Sequence, residues 1–221
     1  MNVLKLENIY YSQDNTNIIN GVNIEIKQGE CISIVGPSGG GKSTLLKLCS
    51  DLISPSSGNI FYKGENYKSY NPIDLRKQIS YCIQIPYLFG DTVYDNLIYP
   101  FKIRKKEVNN KMLIEFLLKF NLDETYLDKD IKSLSGGEKQ RIALIRNLIF
   151  KPEILLLDEV TSALDKDNTK TVEEIVKKMN NDGTTVIWVT HDIKQSESIF
   201  DRKIIIEDGT ICSEEDNTQW I

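Results

Sequence analysis

The residues best suited to chemistry form one glycine-rich stretch, Gly36-Pro37-Ser38-Gly39-Gly40-Gly41-Lys42-Ser43. Its spacing fits G-x-x-x-x-G-K-[ST], where glycines let successive backbone N–H groups converge on an anion. Lys42 adds a compact positive charge for the outer phosphates, and the Ser43 hydroxyl is a ligand for Mg²⁺. Thr44 opens the helix that follows, and the dipole at a helix start favours the same negative charge. A flexible glycine turn would need neither the lysine nor the hydroxyl, so the stretch reads as a nucleoside triphosphate site. Asp158-Glu159 form a second group, directly after the apolar run Ile154-Leu155-Leu156-Leu157. In open α/β sheets ligands collect at the carboxyl ends of strands, which is where both carboxylates fall. One can hold Mg²⁺, directly or through water, and the other can orient or deprotonate an attacking water. Ser135-Gly136-Gly137-Glu138 is the third group. Its Ser-x-x-Glu spacing is a capping box that starts a helix. Two adjacent glycines are costly in a plain cap but useful where a ligand approaches the backbone, so this helix start is a second anion site. Spacing alone does not say whether both anion sites act within one molecule.

These groups need elements to hold them. Val3–Ile9, Val22–Ile26 and Cys31–Val35 read as strands, with Ile60–Tyr62 and Ile79–Ile83 as weaker candidates. Apolar residues at helical spacing over Glu107–Phe120 predict an amphipathic helix, and a second helix runs from Glu138 to Phe150, stopped by Pro152. The last third alternates strand and helix: Ile154–Leu157, a helix over Asn168–Met179, then Thr184–Val189 and Lys203–Ile206. Such alternation predicts a parallel α/β sheet with right-handed crossovers, interrupted by a helical lobe from about Thr92 to Ser133.

Composition narrows the class. The chain has 221 residues, 40% hydrophobic and 27% charged, enough for one large domain or a core with an inserted lobe. With 27 Lys+Arg against 32 Asp+Glu, the net charge of −5 lacks the positive footprint of a nucleic-acid binder. No apolar stretch approaches the roughly 18 residues of a membrane span, and no basic segment followed by an apolar one marks a secretory signal. Cys31, Cys49, Cys82 and Cys212 lie far apart, without C-x-x-C, which excludes a zinc or disulfide framework and predicts a reducing cytoplasm.

In this order the motifs resemble those of the ABC-type ATPases. Ser135-Gly136-Gly137-Glu138, between the phosphate loop and Asp158-Glu159, is similar to the family signature. Gln84 matches the glutamine of the Q-loop, Ser162-Ala163-Leu164-Asp165 the D-loop, and His191 the switch histidine. The resemblance covers essentially the whole chain as one ATPase domain, residues 1–221. It implies a P-loop NTPase (RecA-like) α/β core, an N-terminal antiparallel β-subdomain and a helical subdomain at about 92–135. It also implies two copies pairing head to tail, so that Ser135, Gly136 and Gly137 of one cap the ATP held by the Gly36–Thr44 loop of the other. Glu159 would then be the general base, Asp158, Ser43 and Gln84 would serve Mg²⁺ and water, His191 would contact the γ-phosphate, and Asp165 would lie beside the nucleotide. One departure concerns the base: Gln13 falls where many members place an adenine-stacking aromatic, with Tyr10 and Tyr11 just before it, so preference for ATP over GTP stays open.

Members that drive transporters dock a membrane subunit near their Q-loop, here roughly Ile85–Arg104. Tyr87, Leu88 and Phe89 have two uses there, partner contact or core of the lobe. Lys102, Arg104, Lys105 and Lys106 form a small basic cluster, most simply a solvated face. The stretches Ser80–Ile98, Leu156–Asp165 and Ile187–Asp192 are similar to the ATPase subunits of Fet-type bacterial iron exporters. That resemblance implies a cytoplasmic ATPase held at the inner face of the membrane by a separate permease. The alternative is a soluble ABC ATPase of iron–sulfur assembly.

Overall fold

The computed structural model describes residues 1–190 and 199–216. Strands β1 (Asn2–Gln13) and β2 (Thr16–Lys27) pair antiparallel across Asp14 and Asn15, both at positive φ. With β4 (Ser57–Tyr62) and β5 (Glu65–Asn66) they form an antiparallel sheet in the order β2-β1-β4-β5. The second sheet comprises β3 (Cys31–Val35), β6 (Ile79–Cys82), β7 (Ile154–Asp158), β8 (Thr185–Val189), β9 (Arg202–Glu207) and β10 (Thr210–Asp216). Its order is β10-β9-β3-β8-β7-β6. Strand β3 runs parallel to β8 and β9, and β7 parallel to β8. All residues of β7 and β8 are buried, which is why they read as unbroken apolar runs.

The parallel sheet expected from the alternation carries an antiparallel strand at one edge, where β10 pairs with β9. Only Asp208-Gly209 joins the two, both at positive φ, and so short a turn permits a hairpin alone. Helix α1 (Lys42–Cys49) follows β3, and α2 (Pro72–Gln78) precedes β6. The periodic pattern could not reveal α2, because only Leu75 on it is buried.

The chain divides into two compact units. The first holds Met1–Tyr81, Pro152–Glu159 and the described residues from Met179 onward. Its core gathers Leu4, Leu6, Ile34, Leu46, Leu156 and Ile187 among others. The second holds Cys82–Lys151 and Val160–Lys178. It contains α3 (Val93–Ile103), α4 (Asn110–Lys119), α5 (Gly136–Leu148) and most of α6 (Lys166–Asn181). Helices α3 and α4 both pack on α5. The helix expected from Glu107 begins only at Asn110, since the Asn109 side chain caps it by accepting from Met112 N–H.

Asn96 on α3 is fully buried, and its amide is satisfied at both ends. Its Oδ1 accepts from Phe89 N–H (3.1 Å) and Arg146 Nη1 (3.0 Å), while Nδ2 donates to Phe89 O (2.8 Å) and Thr92 O (3.0 Å). Asn96→Ala removes these bonds from half-buried partners, one of them charged. It is expected to lower stability by about 2–4 kcal/mol, read as a shifted urea midpoint. A loss below about 0.5 kcal/mol would show that the amide is dispensable.

Candidate nucleotide site

The glycine loop begins where β3 ends. Gly36 sits at φ +148°, and a Cβ there would lie 1.9 Å from Ile206 O, so no other residue fits. Gly41 caps α1 at φ +98°, where a Cβ would come within 2.9 Å of Ile18 O. Gly40 N–H donates to Pro37 O (3.2 Å), while Pro37, Ser38 and Gly39 are exposed. Lys42 is only 5% exposed, and its ammonium donates to Gly36 O (2.9 Å) and Pro37 O (2.8 Å). Burial lowers its pKa, while Glu159 and Asp158 act in the opposite direction. Thr44 is half-buried on the first turn of α1.

Asp158 ends β7 and is 3% exposed. Ser43 Oγ donates to its Oδ1 (3.0 Å), and Tyr81 Oη donates to its Oδ2 (2.8 Å). The sequence reading placed Ser43 and Asp158 together through the resemblance but gave Tyr81 no role. Only the tertiary neighbourhood of β6 and β7 reveals it. Glu159 follows at φ +48°, with its N–H bonded to Val189 O (3.0 Å). A non-glycine residue in that region costs about 1–3 kcal/mol, and such outliers cluster at functional sites. The loop, Asp158 and Glu159 thus meet at the carboxyl ends of β3 and β7.

A hydroxyl and a carboxylate in contact are the hard oxygen donors that suit Mg²⁺. Among the described residues no group of three or more His, Cys, Asp or Glu could hold a metal ion. The Ser43 hydroxyl against the Asp158 carboxylate suits a cation that keeps several waters and takes substrate phosphates as ligands, as Mg²⁺ does.

The second unit carries the helix start at which the sequence predicts a second anion site. Ser135 caps α5 in the expected capping box: its Oγ accepts from Glu138 N–H, and Glu138 Oε2 accepts from Ser135 N–H. The Tyr126 hydroxyl, with the Ser135 N–H, pulls the Glu138 carboxyl down to about 2. That bond therefore supports the cap above the ordinary carboxylate range and is lost only as pH falls through about 2. Gly136 is exposed and Gly137 half-buried. A Cβ on Gly137 would meet Ala163 O at 3.4 Å, so the segment Ser162–Asp165 lies against this helix start. Asp165 accepts from Asn168 N–H and Nδ2, and Asn168 Oδ1 accepts from Arg141 Nη1 (3.1 Å) on α5. Asn168 and Arg141 are links the sequence reading missed, since neither stands in a motif position it used. Gln84 is exposed. His191 lies outside the described residues.

Gln13 is exposed at the end of β1, opposite Thr16. Tyr11 packs against the core, and the Tyr10 hydroxyl lies over Gly21. The stretch Tyr87–Phe89 divides between exposure and packing. Ile85 and Tyr87 are 79% and 70% exposed, whereas Leu88 and Phe89 are half-buried. The Phe89 ring meets Tyr99 edge-on at 4.8 Å and lies under the Arg146 guanidinium. The basic cluster is not wholly solvated: Arg104 and Lys106 lie over the Phe150 ring at 4.6 and 5.0 Å.

Comparison with known proteins agrees with this arrangement. A model of the ABC transporter family matches residues 19–162. The chain is 49% identical over 191 residues to the probable iron export ATP-binding protein FetA of Escherichia coli, covering 86% of this chain and 85% of that one. It is 36% identical to ABC transporter I family member 17 of Arabidopsis thaliana, over 90% of this chain and 76% of that one. Among solved structures, the ATP-binding cassette MJ0796, in a dimeric post-hydrolysis state with ADP and Pi, superposes with a TM-score of 0.88. Its identity is 31%, over 97% of this chain and 98% of that one. An α/β P-loop NTPase fold, its Gly36–Ser43 loop beside the Asp158-Glu159 pair, and these relatives lead to one conclusion: the chain belongs to the ABC transporter family as an ATP-binding, ATP-hydrolysing subunit.

Proposed function

We propose that this subunit energises a separate membrane permease, with iron export as the transport it drives. The observation that carries the ATP-driven part of the reading is the Ser43–Asp158 contact beside Lys42, a ready site for a metal-bound triphosphate. Mg²⁺, when bound, would neutralise phosphate charge and be held by Ser43, Asp158 and Gln84. Lys42 and the backbone of Gly36–Thr44 hold the phosphates, Glu159 takes the proton of the attacking water, and His191 contacts the γ-phosphate.

The start of α5 is exposed at Ser135 and Gly136, which leaves it open to a second copy in a homodimer. Ser135, Gly136 and Gly137 of one copy would then close on the nucleotide of the other, with Asp165 beside it. The dimeric state described for the similar cassette supports this pairing. Support for a permease comes from the exposed pair Ile85 and Tyr87, just after Gln84. No helix among the described residues is long and apolar enough to cross a membrane. The chain would be peripheral, held at the cytoplasmic face through that partner. Iron rests on the name of the FetA relative.

Affinity capture of the chain from detergent-solubilised membranes of its native host tests the reading. The expected result is co-purification of a polytopic membrane protein. Recovery solely in membrane-free complexes would overturn it in favour of the cofactor-assembly alternative.

A further inference from the structure

We propose that Tyr81 is a positioning residue for the metal-binding carboxylate, tying Asp158 to the strand that leads into Gln84. This rests on the nucleotide-site reading above. Tyr81 lies on β6, the neighbour of β7 in the sheet, and its Oη donates to Asp158 Oδ2 at 2.8 Å. Ser43 Oγ engages the other oxygen at 3.0 Å. With a hydroxyl on each oxygen, the carboxylate cannot turn about its own bond without breaking a contact. Because Asp158 is nearly inaccessible, solvent is poorly placed to replace a lost partner. The Tyr81 ring packs against the hydrophobic core, so the hydroxyl is presented from a fixed base. Outer partners of this kind orient a ligand and tune its affinity for metal.

The place of Tyr81 in the chain extends the role. It is the last residue of the first compact unit before the chain passes into the second at Cys82, and Gln84 follows shortly. A displacement of that strand end therefore bears on the metal carboxylate through this hydroxyl as well as through the sheet.

Tyr81→Phe removes the hydroxyl and keeps the ring that packs against the core. The test follows Mg²⁺-dependent binding of a fluorescent non-hydrolysable ATP analogue to the full chain, with Mn²⁺ binding read by electron paramagnetic resonance. The Mg²⁺ concentration for half-maximal effect is expected to rise about 10-fold, the lower end of the loss seen when such outer partners are removed. Nucleotide affinity in EDTA should stay unchanged. In an Asp158→Asn background the same substitution should add nothing, because the carboxylate through which it acts is gone. Wild-type Mg²⁺ dependence in Tyr81→Phe would overturn the proposal, as would an undiminished shift in the Asp158→Asn background. If the unsubstituted protein shows no Mg²⁺-dependent nucleotide binding, the nucleotide-site reading itself falls and this proposal with it. Normal binding there, with Tyr81→Phe indistinguishable from it, removes the role of Tyr81 alone.

Discussion

Lys42→Ala is expected to weaken ATP binding by about 10²–10⁴-fold. Two charge-assisted bonds to phosphate oxygens contribute about 1.5–3 kcal/mol each, and every 1.4 kcal/mol is tenfold in affinity. The loop also loses an internal fastener, since the Lys42 ammonium bonds to the carbonyls of Gly36 and Pro37. Burial lowers the lysine pKa, while Asp158 and Glu159 favour the charged form. Lys42→Arg should rescue poorly, because a planar guanidinium is wider than the compact ammonium the loop encloses. Fluorescent-nucleotide titration reads both variants. Wild-type affinity in Lys42→Ala would remove the loop from the binding site.

Glu159→Gln is expected to leave ATP binding intact and slow turnover by about 10²–10⁴-fold, the usual contribution of a general base. The substitution preserves size and hydrogen-bonding capacity while abolishing the ability to accept a proton. It also retains the backbone bond to Val189 O that holds residue 159 at φ +48°. Steady-state hydrolysis gives the rate, and size-exclusion chromatography with ATP gives the second outcome. A trapped nucleotide should hold two copies together, so the variant elutes as an ATP-dependent dimer. A monomer at every ATP concentration would argue against completion of the site by the Ser135 helix start of a second copy.

Much of this was legible in the residue order because the chemistry is local. Gly36–Ser43 needs only short-range geometry: a strand, a turn of glycines and a helix start. Its reading as an anion cradle holds without knowledge of neighbours. Ser135 and Glu138 likewise form their capping box within one helical turn, as the spacing required. The buried strands β7 and β8 were readable because burial on both faces leaves an unbroken apolar run. Strand β10 was missed because most of its side chains are exposed, and α2 because it buries only Leu75.

What the residues alone determined, then, was the inventory: a triphosphate loop, a carboxylate pair after a buried strand, and a second helix start closed by a capping box. The tertiary structure decided which groups share a site. It joined Ser43 and Tyr81 to the two oxygens of Asp158, set Glu159 in a strained conformation, and laid Ser162–Asp165 against Gly137. It also split Ile85 and Tyr87, left in solvent, from Phe89, packed against Tyr99. The reason is physical. Capping and loop geometry depend on neighbours within a few residues, whereas the partner of a carboxylate depends on which strands lie side by side. Sheet order is set by burial of the whole core, and no local spacing encodes it.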